Sequence, residues 1–276
     1  MQMIAEVYGV MRDGLGMNPK AASDVFKAWN KGPLNSYLIE ITGYVLEAIE
    51  PKTGKPLVEL ILDKAGQKGT GVWSAIAGQQ LGVPATAIEG AVAARSISSR
   101  KDERVAAEKV YGKRSAGKAD VPLAELEKAL LAGKIVSYAQ GFAVLAKASE
   151  ENGWNLPLAT IAKIWRNGCI IRSRFLDQMS AAYAKGGAQN LLMVPDFVAI
   201  MQDAHKSLRK VVAEAALGEF PMICLSASLA YFDSYRQALG TANLTQGQRD
   251  FFGAHGFELI DRPGEQHGTW PSTIGK

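Results

Sequence analysis

Two stretches of this chain carry long stripes of apolar residues at helical spacing. In the first, Leu126, Leu130, Val136, Phe142, Leu145 and Ala148 follow an entrance marked by Asp120 and Pro122 and run to about residue 150. In the second, Phe197, Met201, Ala204, Leu208, Val212 and Ala215 run from Asp196 to about residue 217, with Gly218 closing the stripe. Residues so spaced share one face of an α-helix, and both stretches are long enough to cross a domain. Convincing strand alternation is absent throughout. The expected fold class is therefore all-α, with the core built around these two helices.

Shorter stripes fill the rest. Met3, Val7, Val10 and Leu15 predict a first helix stopping near Gly14 to Gly16, and Ala21, Val25, Ala28 and Trp29 a second. Leu34, Leu38, Ile41, Val45 and Ile49 predict a longer one, ended by Pro51 to Gly54. Helices are also expected from Val72 to Gln80, between Pro157 and Gly168, and from Pro221 to about Leu239, and Glu89 to Ser99 is an apolar segment. Lys109 to Lys118 reads as an exposed loop. After Gly240 the glycines 247, 253, 256, 264, 268 and 275 with Pro263 and Pro271 predict a tail holding only a short helical segment, Phe251 to Leu259. Phe251, Phe252, Phe257 and Trp270 on such a tail need cover, and a partner chain is one source of it.

With 276 residues, 47% of them hydrophobic, the chain buries roughly three quarters of its surface on folding, which excludes intrinsic disorder. A net charge of +4 without basic-aromatic interleaving argues against nucleic acid and is compatible with an anionic metabolite. Cys169 and Cys224 have no Cys or His at metal-ligand spacing, so no metal site is expected and both read as small buried hydrophobes. No secretory leader is visible at the N-terminus and no apolar run approaches the length of a membrane span, so the expected location is cytoplasmic and no membrane partner is expected.

Gly69-Thr70-Gly71-Val72-Trp73-Ser74 starts like a dinucleotide fingerprint, but Ser74 replaces the third glycine and no strand precedes it. Gly112 to Lys118 has Walker A spacing, yet Ala119 stands where a Mg²⁺-ligating hydroxyl belongs. Gln67-Lys68-Gly69-Thr70-Gly71 carries more weight. It sets an ammonium, a hydroxyl and free backbone N–H groups at one helix start, a sound anion site or else a capping turn with an exposed lysine. Arg95 interrupts an apolar run and is either paired internally or aimed at a ligand. Lys101 to Arg104 reads as a charged surface turn or as ion-paired support for Arg95. Arg172 and Arg174 suggest a structural salt bridge, and His205 a core or boundary residue. Arg249 and His255 present two polar cationic groups on one short tail segment.

The stretches AGQKGTGVWSAIAGQQLGVPATAIEGAVAARSISSRKDER (65 to 104), WRNGCIIRSRFL (165 to 176) and QRDFFGAHGFEL (248 to 259) closely resemble the decarboxylating 6-phosphogluconate dehydrogenases. The resemblance is collinear and covers essentially the whole chain. It implies a large helical domain over residues 1–240 for substrate binding and dimerisation, and a tail over 241–276 that packs on or through the partner subunit of a homodimer. By the same resemblance, Lys68, Thr70 and Arg95 hold the sugar phosphate. Arg249 and His255 are donated to the other subunit's site, Arg249 to the phosphate and His255 to the sugar end.

The family reaction converts 6-phosphogluconate and NADP to ribulose 5-phosphate, CO₂ and NADPH in the pentose phosphate pathway. The resemblance sets the NADP-binding domain, the general-base lysine and the general-acid glutamate upstream of Met1, so that no catalytic or cofactor-binding residue is expected in this chain and the chain alone is expected to be inactive. A rival reading is a non-catalytic helical homodimer that binds a phosphorylated sugar acid or is purely structural.

Overall fold

The computed structural model describes residues 1–114, 117–186 and 190–271. From the N-terminus, α1 (Gln2–Gly9) runs into a π-helical turn (Val10–Gly14), and α2 (Pro19–Trp29), α3 (Tyr37–Glu47) and the single-turn α4 (Leu57–Leu60) follow. Then come α5 (Thr70–Gln80), α6 (Thr86–Ser99), α7 (Lys101–Tyr111), α8 (Leu123–Asn152), α9 (Leu158–Ile164), α10 (Phe175–Gly186), α11 (Pro195–Leu217), α12 (Ile223–Tyr235) and α13 (Ala242–Gly253). An antiparallel hairpin of β1 (Phe257–Leu259) and β2 (Arg262–Gln266) is the only strand pairing of named elements among the described residues. The chain divides into two compact units, Met1–Tyr231 and Phe232 onward.

The first unit is built on α8 and α11. Leu126, Leu130, Ile135, Val136, Ala139 and Phe142 are buried on α8, and Phe197, Met201, Ala204, Leu208, Val211 and Ala215 on α11. Aromatic contacts extend this core: Phe142 stacks on Tyr183 of α10 with ring centroids 5.1 Å apart, and Phe175 meets Phe197 edge-on, also at 5.1 Å. Burying each such side chain contributes about 1.5–3 kcal/mol.

Polar side chains inside the unit fix helix starts. Glu6 of α1 is buried and accepts from the amides of Cys224 and Leu225, at 2.8 and 3.0 Å, so its carboxylate caps the first turn of α12. Gln140 of α8 accepts from the amide of Ala87 at 2.9 Å and donates to Thr86 Oγ1 at 3.0 Å, doing the same for α6. Asn18 caps α2, accepting from Ala21 N at 2.8 Å ahead of Pro19 in the first turn.

Several expectations are corrected. The stripe from Leu34 to Ile49 forms a helix only from Tyr37 to Glu47, because Ser36 caps its start and Ala48 turns extended. Lys101 to Arg104 is the first turn of α7, not a surface turn, and α7 extends to Tyr111, into the run read as a loop. Of that loop, residues 115–116 lie outside the described residues, as do 272–276 of the tail, Gly275 included. The helix after Pro221 stops at Tyr235, and α10 is an element the periodicity did not suggest. In the tail the helix lies earlier than expected, over Ala242–Gly253, and part of the segment read as helical is β1. Finally, α8 is long and apolar enough to cross a membrane, with a mean hydropathy of 1.4 over an 18-residue window, contrary to the expectation of no such run. Half of that window is buried inside the unit, where it packs on its neighbouring helices.

Candidate functional site

The loop ahead of α5 is held against α6 and α7 along its length. Asp63 Oδ2 accepts from Arg104 Nη2 at 2.6 Å and lies 3.5 Å from Lys101 Nζ, and the hydrogen bond from Arg104 holds the Asp63 carboxyl below its usual range. Ala65 N donates to Ser98 Oγ at 3.0 Å, and Gln67 Nε2 donates to Ser96 Oγ at 3.4 Å. Ser98 Oγ also donates to the carbonyl of Arg95 at 2.8 Å. Lys68 therefore follows a residue tied to α6 one position past Arg95. The charged run 101–104 supports the lysine loop through Asp63.

Gly69 caps α5 with φ of +99°, a left-handed conformation that glycine adopts without a steric cost. This bend starts the helix at Thr70, exposing the Thr70 hydroxyl and the unpaired N–H groups of the first turn beside Lys68. Lys68 is exposed and forms no ion pair among the described residues. Arg95, half-buried on α6, has only a 3.9 Å contact from Nη2 to Met1 Sδ and no carboxylate partner among the described residues. The arrangement presents an ammonium, a guanidinium, a hydroxyl and a helix N-terminus, which suits a phosphate dianion.

The second unit carries the other two candidates. Arg249 lies near the end of α13 and His255 two residues past it, both exposed. Between them Asp250 is buried, 3% exposed, and accepts from Gly256 N, His267 Nδ1, Gly268 N and Trp270 Nε1 at 2.9, 2.6, 2.8 and 2.7 Å. These donors, led by Gly268 N, hold its carboxyl far below the usual range, and the bond to Asp250 raises the His267 imidazole above its own. Sequence reading missed Asp250, Asp63 and Gln140.

Other candidates resolve as structural. Arg172 pairs with Glu40 at 3.1 Å and lies over the Tyr37 ring at 4.7 Å. Cys169 and Cys224 are free, and burial pushes the Cys224 thiol up to about 12; Cys169 is only half-buried, short of the buried hydrophobe expected. His205 lies at the core boundary. Among the described residues the only named strands are β1 and β2, which pair antiparallel.

The family model described as 6-phosphogluconate dehydrogenase, C-terminal domain, matches residues 1–270. The decarboxylating 6-phosphogluconate dehydrogenase of Staphylococcus epidermidis is 49% identical over 274 residues, 98% of this chain and 58% of that protein. The Staphylococcus aureus enzyme is 48% identical over the same span and shares. Among solved structures, the 6-phosphogluconate dehydrogenase of Plasmodium falciparum, described apo, with its cofactor NADP⁺ and with its substrate 6-phosphogluconate, superposes with a TM-score of 0.93 at 39% identity. That match covers 98% of this chain and 59% of the other. The chain thus spans a little under three fifths of the relatives it matches. With a family model matching nearly its full length and relatives near half identical, this chain belongs to the 6-phosphogluconate dehydrogenases, as their C-terminal helical domain.

Proposed function

We propose that this chain is the substrate-binding and dimerisation part of an NADP-dependent, decarboxylating 6-phosphogluconate dehydrogenase. The observation that carries the reading is the α5–α6 corner, where Lys68, Thr70 and an Arg95 free of carboxylate partners are held by the Asp63, Ser96 and Ser98 contacts. In this reading Lys68, the Thr70 hydroxyl and the first-turn amides of α5 bind the phosphate, and Arg95 closes on it as a planar fork. Arg249 and His255 reach the same ligand from the tail of a second copy, which makes the homodimer part of the site. NADP, when bound, accepts the hydride. In the same reading its domain, the general-base lysine and the general-acid glutamate are supplied by another segment of the enzyme. What this chain contributes is alignment: the C3 hydroxyl and the carboxylate are oriented because the far end of the substrate is fixed.

Calorimetric titration of 6-phosphogluconate into the wild-type chain and its Arg95→Met and Arg249→Met variants tests this. A charge-assisted hydrogen bond contributes about 1.5–3 kcal/mol, so each change weakens binding roughly 10- to 150-fold, while gluconate is barely affected. Equal losses for both ligands would mean that these arginines hold the fold and not the phosphate.

A further inference from the structure

Arg249 and His255 are exposed, and little in their own contacts fixes them. Arg249 Nη1 reaches Gln246 Oε1 at 3.4 Å, and His255 meets the Phe252 ring edge-on at 5.5 Å. A guanidinium or imidazole free to rotate loses side-chain entropy on binding, so the backbone beneath the pair decides how well they are aimed.

That backbone is a closed loop around one buried carboxylate. The Asp250 carbonyl accepts from Ala254 N at 2.8 Å, ending α13 in a residue at φ +49°. Its carboxylate then takes Gly256 N, one residue past His255. Gly256 stands at φ +72°, a left-handed conformation that strains a residue with a side chain, and a Cβ there would lie 2.5 Å from Glu265 Cγ of β2, so the Glu265 side chain would have to shift. The Gly256 carbonyl accepts from Gln246 Nε2 at 2.5 Å, and Gln246 is the residue that also contacts Arg249. The other carboxylate bonds draw in the chain beyond the hairpin through His267, Gly268 and Trp270, whose ring also packs near Phe251 and Phe257 at 6.0 and 6.3 Å. Since Asp250 offers acceptors only, His267 must carry its proton on Nδ1.

We propose that Asp250 is a positioning residue for substrate binding: its carboxylate clasps Gly256, His267, Gly268 and Trp270, and so sets the spacing at which the tail presents Arg249 and His255. The proposal rests on the reading of those two residues as ligands for the phosphorylated sugar acid. It adds that the tail's shape is fixed within the tail itself, before any ligand is bound. The strongly lowered carboxyl of Asp250 agrees with an anion held by donors that do not depend on a ligand.

The test compares the wild-type chain with Asp250→Asn, Trp270→Phe and Arg249→Met, titrating each with 6-phosphogluconate and with gluconate. NMR follows the His267 imidazole and the Trp270 indole N–H, and thermal unfolding follows the helical unit. Asp250→Asn is expected to return His267 to an ordinary histidine titration, to move the Trp270 indole signal and to weaken 6-phosphogluconate at least tenfold, with unfolding of the helical unit unchanged. Trp270→Phe keeps an aromatic ring but deletes one of the carboxylate's donors, and is expected to show a smaller loss of the same kind. Arg249→Met is expected to weaken 6-phosphogluconate without moving either NMR signal. If Asp250→Asn opens the clasp by NMR yet binds 6-phosphogluconate within twofold of wild type, while Arg249→Met costs tenfold, the positioning role is wrong and the ligand reading stands. If Arg249→Met costs nothing, the ligand reading falls and the proposal with it.

Discussion

The amide of Ala87 stands in the first turn of α6, where no helical carbonyl lies behind it, and Gln140 from the buried face of α8 supplies the acceptor. The same side chain donates to Thr86, so one residue fixes both the start and the direction of the helix that carries Arg95. Replacing it by leucine, close in volume but without polar atoms, strands a buried N–H group. Gln140→Leu is expected to lower stability by about 1–3 kcal/mol in urea unfolding and to weaken 6-phosphogluconate binding as the start of α6 loosens. A variant as stable as wild type would show that this capping contact is not needed. Lys68, Thr70 and Arg95 stand out in sequence because a lysine between glycines before an apolar helix, and an arginine inside an apolar run, are each locally anomalous. Gln140, Asp63 and Asp250 do not. The partners of Gln140 and Asp63 lie 53 and 41 residues away, and those of Asp250 across a turn and a hairpin, so their significance exists only in the folded chain.

At the scale of elements, α8 and α11 are legible because their stripes continue over many turns, and only a helix accounts for such a pattern. The α13–hairpin arrangement is not. Gly247 and the polar run from Ala242 hide the helix, and the glycines that argue for an irregular tail are what the turns need. This tail has a distinct pH response. His267, raised by its bond to Asp250 and by Glu265 at 3.8 Å, contributes its part of the clasp fully below its free value of 6.5 and loses it as pH rises through the higher folded value. Asp250, depressed, contributes above its free value of 3.8 and loses its part as pH falls through the lower folded one. Amide-exchange protection at Gly256 and Gly268 is therefore expected to be greatest between these two free values, to fall on the alkaline side first, and to fall again in strong acid. Protection unchanged from pH 6 to pH 9 would mean that the positive charge of the imidazolium takes no part in holding the tail.

For the whole molecule, the family assignment explains why the candidate residues are all of one kind. Lys68, Thr70, Arg95, Arg249 and His255 are all proposed as binding groups, and none as a catalytic one. On the proposed reading the chain aligns a phosphorylated ligand and leaves redox chemistry to another segment, so the purified chain with 6-phosphogluconate and excess NADP is expected to generate no NADPH, checked by absorbance beside a full-length relative. The proposal that the α5–α6 corner reads a phosphate is put to the test by calorimetric titration of the unmodified chain with 6-phosphogluconate and, separately, with gluconate. Saturable binding of 6-phosphogluconate is expected, with at least tenfold weaker binding of gluconate. Equal affinity for the two ligands, or no binding of 6-phosphogluconate at millimolar concentration, would contradict it.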